Sequence, residues 1–172
     1  MPDLRFTLEH LNTPTGEILI VTDDDRNLRA VEWADLDNRM SKLLRRHYGN
    51  STIRLCDAPS ATPARLALEA YFDGEIGALA PLPVRTNGTV LQRAVWDALR
   101  QIPAGQTTSY GKLAARIARP TAQRAVGRAN GANPIPIVVP CHRVIGADGA
   151  LTGFAGGLDR KRWLLAHEGA IL

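Results

Sequence analysis

Two cysteines, Cys56 and Cys141, are all that the 172 residues contain. That is too few for a disulfide framework, so the chain is expected in a reducing cytoplasm. No apolar run approaches the ~18 residues that cross a bilayer. The opening Met1-Pro2-Asp3 lacks both the basic and the apolar region of a secretory signal. The four histidines (His10, His47, His142, His167) and the two cysteines fall in no ligand-like spacing, so neither metal nor cofactor is expected. Acidic residues are scarce in the second half. Residues 86–172 hold 11 Lys and Arg against 4 Asp and Glu, net +7, whereas residues 1–85 hold 10 against 13, net −3. Positive charge gathered in one half marks a polyanion site, most simply a nucleic-acid backbone; a solvated basic face is the bland alternative. The 45% apolar content is enough for a real core in one large domain or two small ones.

Residues 1–85 read as an α/β domain. Arg5–Leu11 and Glu17–Thr22 are expected as a strand pair joined by Thr13-Pro14-Thr15-Gly16, with Leu28–Trp33 as a third strand. Residues 37–48 have helical spacing with Asp37 as the cap, and Ser51–Cys56 is a further short strand. A cap-then-proline start at Thr62-Pro63 opens a helix to Phe72. Cys56 and Trp33 are expected in the core. The stretch from Gly77 to Gly88, with Pro81 and Pro83, has linker composition.

Residues 86–172 read as helical. Val90–Ile102 carries one apolar stripe and stops at Pro103-Ala104-Gly105. Tyr110–Ile117 and Thr121–Asn130 are two short helices across Arg119-Pro120, a helix-turn-helix pattern that is common without DNA as well. The second helix is nearly bare: small residues at 122, 125, 127, 129 and 131, with Arg124 and Arg128 one turn apart. Glycine costs a helix ~1 kcal/mol relative to alanine, so Gly127 implies a close approach to something. A bare helix suits the minor groove and indifference to sequence better than base readout in the major groove. Asp148-Gly149 signals a hairpin turn between Val144-Ile145 and Leu151-Thr152. A last helix over Leu158–Glu168 closes at Gly169, with Lys161, Leu165 and Glu168 on one face.

The chemistry gathers in Pro136-Ile137-Val138-Val139-Pro140-Cys141-His142-Arg143. A lone cysteine in an apolar segment is usually a small core hydrophobe. Here, however, the thiol has an imidazole beside it that could take its proton, at a junction where an apolar run ends and a Gly-rich loop begins. Glu168 is a carboxylate able to orient that imidazole.

With these residues in hand, the chain resembles the O6-alkylguanine-DNA alkyltransferases (methylated-DNA–protein-cysteine methyltransferases) of the bacterial constitutive Ogt type. The matching motifs are Thr108-Ser109-Tyr110, Arg124-Ala125-Val126-Gly127, Asn133-Pro134, the run from Ile135 to Ile145, residues 152–157 and residues 163–169. The resemblance is dense from about residue 88 onward and looser before it. It implies an N-terminal α/β domain with a ribonuclease H-like sheet and an all-α, winged-helix-like C-terminal domain. The partner is duplex DNA containing O6-alkylguanine, with O4-alkylthymine as a second substrate. It is gripped in the minor groove without regard to sequence by a monomer, and the damaged nucleotide is flipped out. Cys141 would accept the alkyl group once, irreversibly. His142 would take the thiol proton through a water, Glu168 would hold the imidazole, and Tyr110 would protonate N3 of the leaving guanine. Asn133 would tie the helix-turn-helix to the active-site loop. Arg124 would fill the gap in the duplex, with Ser109, Ala125, Gly127 and Arg128 also on the DNA. Pro136 and Phe154 would wall the base, backbone groups of Cys141, Val144 and Ala155 would read its edge, and Lys161 would complete the pocket. Arg143 is expected in a buried structural pair, and His167 as a neighbour of the site. Two departures from the family pattern stand out: Phe154 where many members have tyrosine, and Arg128 where a small residue is common.

Two other classes fit some of these residues. One is a non-catalytic helix-turn-helix protein that binds lesions or regulates genes; the alkyltransferase-like binders, however, replace the cysteine that this chain keeps. The other is a redox sensor or cysteine hydrolase, for which no peptide pocket or oxyanion hole is evident.

Overall fold

A computed structural model describes residues 3–172, which fall into two compact units, the first running to Asn87 and the second from Gly88 to Leu172. Among the described residues, no helix is long and apolar enough to cross a membrane.

The first unit is built on a four-stranded mixed sheet in the order β3-β2-β1-β4. Strand β1 (Leu4–Thr13) turns tightly into antiparallel β2 (Gly16–Thr22), and the Thr13 hydroxyl donates to the Gly16 carbonyl at 2.7 Å. Gly16 has φ 114°, a conformation that the turn requires and that side chains disfavour. In the next turn the Asp23 carboxylate accepts the amides of Asp25 and Asn27. Strand β3 (Leu28–Trp33) then runs antiparallel to β2, buried along its whole length. Helix α1 (Asp37–Tyr48) closes one face, where Met40 and Leu44 join Phe6, Leu19, Val21 and Ala30 in one cluster. Strand β4 (Ile53–Asp57) pairs parallel with β1, and α2 (Pro63–Phe72) packs on β1 and β2. Buried Glu9 accepts both the amide and the hydroxyl of Thr62, the residue that caps α2. The Pro-rich stretch after α2 is tied to this unit: Leu28 donates to the Pro83 carbonyl and accepts from the Arg85 amide.

Three expectations change here. Leu36, not Asp37, occupies the cap position of α1, and Asp37 is its first helical residue. Cys56 is half-buried rather than core, because β4 is an edge strand with one side open to solvent. Trp33 is buried as expected, and its indole N–H donates to the Thr15 hydroxyl.

The second unit begins with α3 (Val90–Arg100), held at its start by a reciprocal cap between Thr89 and Gln92. Val95, Trp96, Ala98 and Leu99 form its buried stripe. The Trp96 indole donates to the Ala129 carbonyl at 2.8 Å, which pins the end of α5 (Gln123–Gly131). Helix α4 (Tyr110–Arg116) precedes α5 across a turn in which Ala118 adopts φ 59°. Helix α6 (Leu158–His167) is followed by Gly169 at φ 78°.

The unit is not all-helical. Strands β5 (Thr108–Ser109) and β6 (Val144–Ile145) pair in parallel. This also corrects the expected hairpin. The turn at Asp148-Gly149 forms, with Gly146 donating to the Ala150 carbonyl, but residues 151–152 add no strand. Asp-Gly chemistry specifies a turn; it does not choose the pairing partner.

Gly88 offers a test of this packing. A methyl group there would lie 2.4 and 2.6 Å from carbons of the Trp96 ring, and Trp96 is fixed by its bond to Ala129. Gly88→Ala is therefore expected to destabilise by roughly 1–3 kcal/mol, the usual cost of overpacking, measured by urea unfolding. An unchanged midpoint would show that the indole moves freely.

Candidate functional site

Residues 133–144 are all buried, and their backbone is folded by two successive tight reversals. The first is a γ-turn, with the Pro136 carbonyl accepting from the Val138 amide at 2.9 Å around Ile137 at φ 74°. A β-branched residue in that region carries strain of roughly 1–3 kcal/mol. The second is an inverse γ-turn at Pro140 (φ −82°, ψ 66°), closed by the Cys141 amide on the Val139 carbonyl at 2.8 Å. Asn133 braces both from inside. Its amide N–H donates to the Val139 carbonyl at 2.8 Å, and its oxygen accepts from the Ile135 amide at 2.9 Å. The chain thus delivers Cys141, 5% exposed, to the head of a single helical turn, Cys141–Arg143.

His142 lies fully buried, with Nε2 2.9 Å from Oε1 of Glu168. Arg143 grips the same carboxylate through Nε and Nη2 at 2.9 and 2.8 Å, and its Nη1 donates to the Ile102 carbonyl at 2.5 Å. Burial pushes the Glu168 pKa up, but the hydrogen bonds from His142 and Arg143 outweigh it and hold the group down at about 2. An ionised carboxylate only accepts, so His142 Nε2 carries the proton. Nδ1 is then an imidazole lone pair, buried and without a hydrogen-bond partner. Burial also lowers the His142 pKa against the pull of Glu168, and the nearby charges of Arg143 and Lys161 push the same way. At neutral pH the ring is an uncharged base.

Lys161 has no exposed surface, and its ammonium donates to the carbonyls of Val144 (2.6 Å) and Thr152 (2.8 Å). Pro136 and Val144 are buried, Phe154 is half-buried and Ala155 exposed, the last two in the loop before Gly157. Tyr110 heads α4, whose start is capped by the Ser109 hydroxyl accepting from Lys112. The Tyr110 ring lies beside Gly127 of α5, and a methyl group on Gly127 would sit 3.8 Å from two ring carbons, in ordinary contact. Arg124 and Arg128 are exposed on α5, while Ala125 is half-buried. Cys141, His142, Glu168, Arg143 and Lys161 thus form one buried group, and Tyr110 with Gly127 a second feature on the helix-turn-helix.

Two contributions went unseen in the sequence: Lys161 as a clamp on two carbonyls, and Trp96 as the anchor of α5. A tryptophan on the apolar stripe of α3 was a signal for the second; backbone acceptors leave none for the first. Among the described residues, no three His, Cys, Asp or Glu side chains gather as a metal site.

A thiol followed in the chain by a neutral, carboxylate-bound imidazole, inside a helical unit with a basic helix-turn-helix, is an arrangement suited to a cysteine nucleophile. Comparison with known proteins sharpens this. Residues 90–170 match the family described as 6-O-methylguanine DNA methyltransferase, DNA binding domain. Over 169 residues the chain is 50% identical to a methylated-DNA–protein-cysteine methyltransferase of Salmonella typhimurium, covering 98% of this chain and 99% of that one. A Shigella flexneri protein of the same name is 48% identical with the same coverage. The crystal structure of Mycobacterium tuberculosis OGT in complex with DNA matches with a TM-score of 0.76 at 38% identity, over 96% of this chain and 93% of that one. The chain belongs to the methylated-DNA–protein-cysteine methyltransferase family.

The pKa shifts set a pH dependence. Glu168 is ionised more easily in the folded chain than in the unfolded one, so its contribution is full above the ordinary carboxylate range and is lost as pH falls from about 4.5 toward about 2. The shift corresponds to on the order of 3 kcal/mol. His142 resists protonation when folded, so stability also falls as pH drops below the ordinary histidine value of 6.5. Urea midpoints should therefore decline below pH 6.5 and again below 4.5. In Glu168→Gln the lower segment should be shallower; an unchanged slope there would remove Glu168 from the acid response.

Proposed function

We propose that this protein repairs DNA by moving the alkyl group of O6-alkylguanine, and of O4-alkylthymine, onto its own Cys141. The observation that carries the reading is the unpartnered Nδ1 of His142, one residue from Cys141, with Nε2 fixed on ionised Glu168. Thiols react as thiolates, and an uncharged imidazole beside one is the group to accept its proton, directly or through a water. The sulfur forms a bond to the alkyl carbon as the bond from that carbon to O6 breaks. The electron pair goes to the guanine, which Tyr110 protonates at N3, and the thiol proton rests on His142 until solvent restores both groups. The product thioether has no nucleophile aimed at it, so each molecule acts once.

A stacked, paired guanine cannot present its O6-alkyl carbon to the sulfur of a cysteine that is 5% exposed, so the nucleotide must leave the helix. Helix α5 enters the minor groove, with Arg124 taking the vacated space and Ser109, Ala125, Gly127 and Arg128 against the backbone. Pro136 and Phe154 wall the flipped base, and the backbone of Cys141, Val144 and Ala155 reads its edge. The mixed sheet of the first unit is read as ribonuclease H-like, and the second unit, with its helix-turn-helix and short strand pair, as winged-helix-like. The functional division falls near residue 86, and the protein acts as a monomer. Cys141 itself speaks against a purely binding role.

Intact-mass measurement after mixing with duplex DNA containing O6-methylguanine tests the reading. A gain of ~14 Da on Cys141, once per chain, is expected, because S–H becomes S–CH3 at a reactive thiol. Cys141→Ser should bind the same DNA and gain nothing. Sustained turnover with excess substrate would overturn the acceptor reading.

Gly127 separates the needs of the fold from those of the DNA. Because a methyl group fits beside Tyr110 in the protein alone, Gly127→Ala should raise stability by up to ~1 kcal/mol through helix propensity. The same change should weaken duplex binding, as titrated by fluorescence anisotropy. Equal affinity would mean that α5 does not approach the DNA at this residue.

A further inference from the structure

We propose that Lys161 is a positioning residue for base specificity: by holding the Val144 carbonyl, it sets how well the site recognises the 2-amino group of the alkylated guanine. The proposal rests on the reading above that Val144 faces the flipped base.

Lysine is almost never fully buried without a partner, yet Lys161 has no exposed surface. Its hydrogen-bond partners are not carboxylates but two backbone carbonyls, Val144 at 2.6 Å and Thr152 at 2.8 Å. Hydrogen bonds from a charged donor are roughly twice as strong as neutral ones. Val144 opens β6 directly after the turn that carries Cys141 and His142, and Thr152 begins the loop that carries Phe154 and Ala155. One ammonium on α6 therefore ties the two-residue strand β6, held otherwise only by its short pairing with β5, to the irregular loop that begins at Thr152. The Lys161 pKa is lowered by burial and pushed back up by Cys141, which places its charge close to the thiol as well.

The chemistry of the base decides what such a carbonyl can read. Alkylation at O6 removes the N1 proton, and N9 is bonded to the sugar. The 2-amino group is then the one hydrogen-bond donor left on the base. A carbonyl has two lone pairs, so Val144 can accept from Lys161 and from that amine together. A carbonyl free to tilt would lose the second bond and keep van der Waals contact. The loss would fall on guanine and spare a base without the amine.

Single-turnover transfer from duplexes containing O6-methylguanine or O6-methylhypoxanthine, which lacks the 2-amino group, tests this directly. The wild-type protein should favour guanine by about three- to tenfold, the range of one neutral hydrogen bond. Lys161→Met should bring the ratio of the two rates to within about twofold of one, and Lys161→Arg, which keeps charge and donors, should restore it. Should Lys161→Met not fold by circular dichroism, Lys161→Gln, whose amide ends one bond short, is expected to lower the ratio in the same direction. A role in folding alone, or in activating the thiol, would slow both substrates equally. An unchanged ratio in a folded neutral variant therefore overturns the proposal. Transfer by the wild type without any preference overturns it together with the assignment of Val144, and no transfer at all overturns the proposed function.

Discussion

One buried carboxylate organises the second unit. Glu168 accepts from His142 and from two nitrogens of Arg143, and the arginine is what makes the arrangement usable. With Glu168 alone, a buried imidazole would be drawn toward its charged form and would have no lone pair for a thiol. Arg143 supplies the permanent countercharge, so burial can keep His142 neutral while the carboxylate still fixes the ring. Removing the carboxylate would leave a buried guanidinium without its partner, a type of loss usually worth 3–5 kcal/mol.

The backbone before this pair is as constrained as the side chains. The γ-turn at Ile137 is unfavourable in isolation, and three features around it hold it in place. Asn133 clamps the loop at Ile135 and Val139, Ile135 and Ile137 are almost completely buried, and the second reversal at Pro140 is already close to the φ that proline imposes. Strain of a kilocalorie or two is small beside the burial of several aliphatic side chains at roughly 1.5–3 kcal/mol each. The outcome is a thiol whose position follows from packing and not from a flexible loop.

Much of this was legible from local patterns. Strand β3 spans the residues expected of it, Leu28–Trp33, and α2 begins at Pro63 behind its threonine cap. What went astray required knowledge of a neighbour. Residues 151–152 look like a strand, yet β6 finds β5 instead. Cys56 looks like core, yet among the described residues no strand lies beyond β4. Helix α5 starts at Gln123, two residues after the threonine that suggested its start, with Ala122 in the cap position and no side-chain cap. Around the site, the adjacency of Cys141 and His142 is written in the chain, whereas Glu168, 26 residues on, stood in the sequence only as a carboxylate able to orient the imidazole, a role that the family resemblance then singled out. The carbonyl contacts of Lys161 were beyond either route, since every residue offers the same acceptor.

The order of the site groups along the chain has a consequence for biosynthesis. Asn133, Cys141, His142 and Arg143 leave the ribosome well before Glu168, the last of the group to be made. Until that carboxylate arrives, Arg143 lacks its countercharge and the imidazole has nothing to select its tautomer. If His142 and Glu168 activate the thiol as proposed above, a nascent chain would hold it in an ordinary, weakly nucleophilic state during synthesis. On the mechanism proposed above, reactivity would follow only once Glu168, just past the end of α6, is in place, so a protein that can be used once would not be spent on stray electrophiles before it has folded.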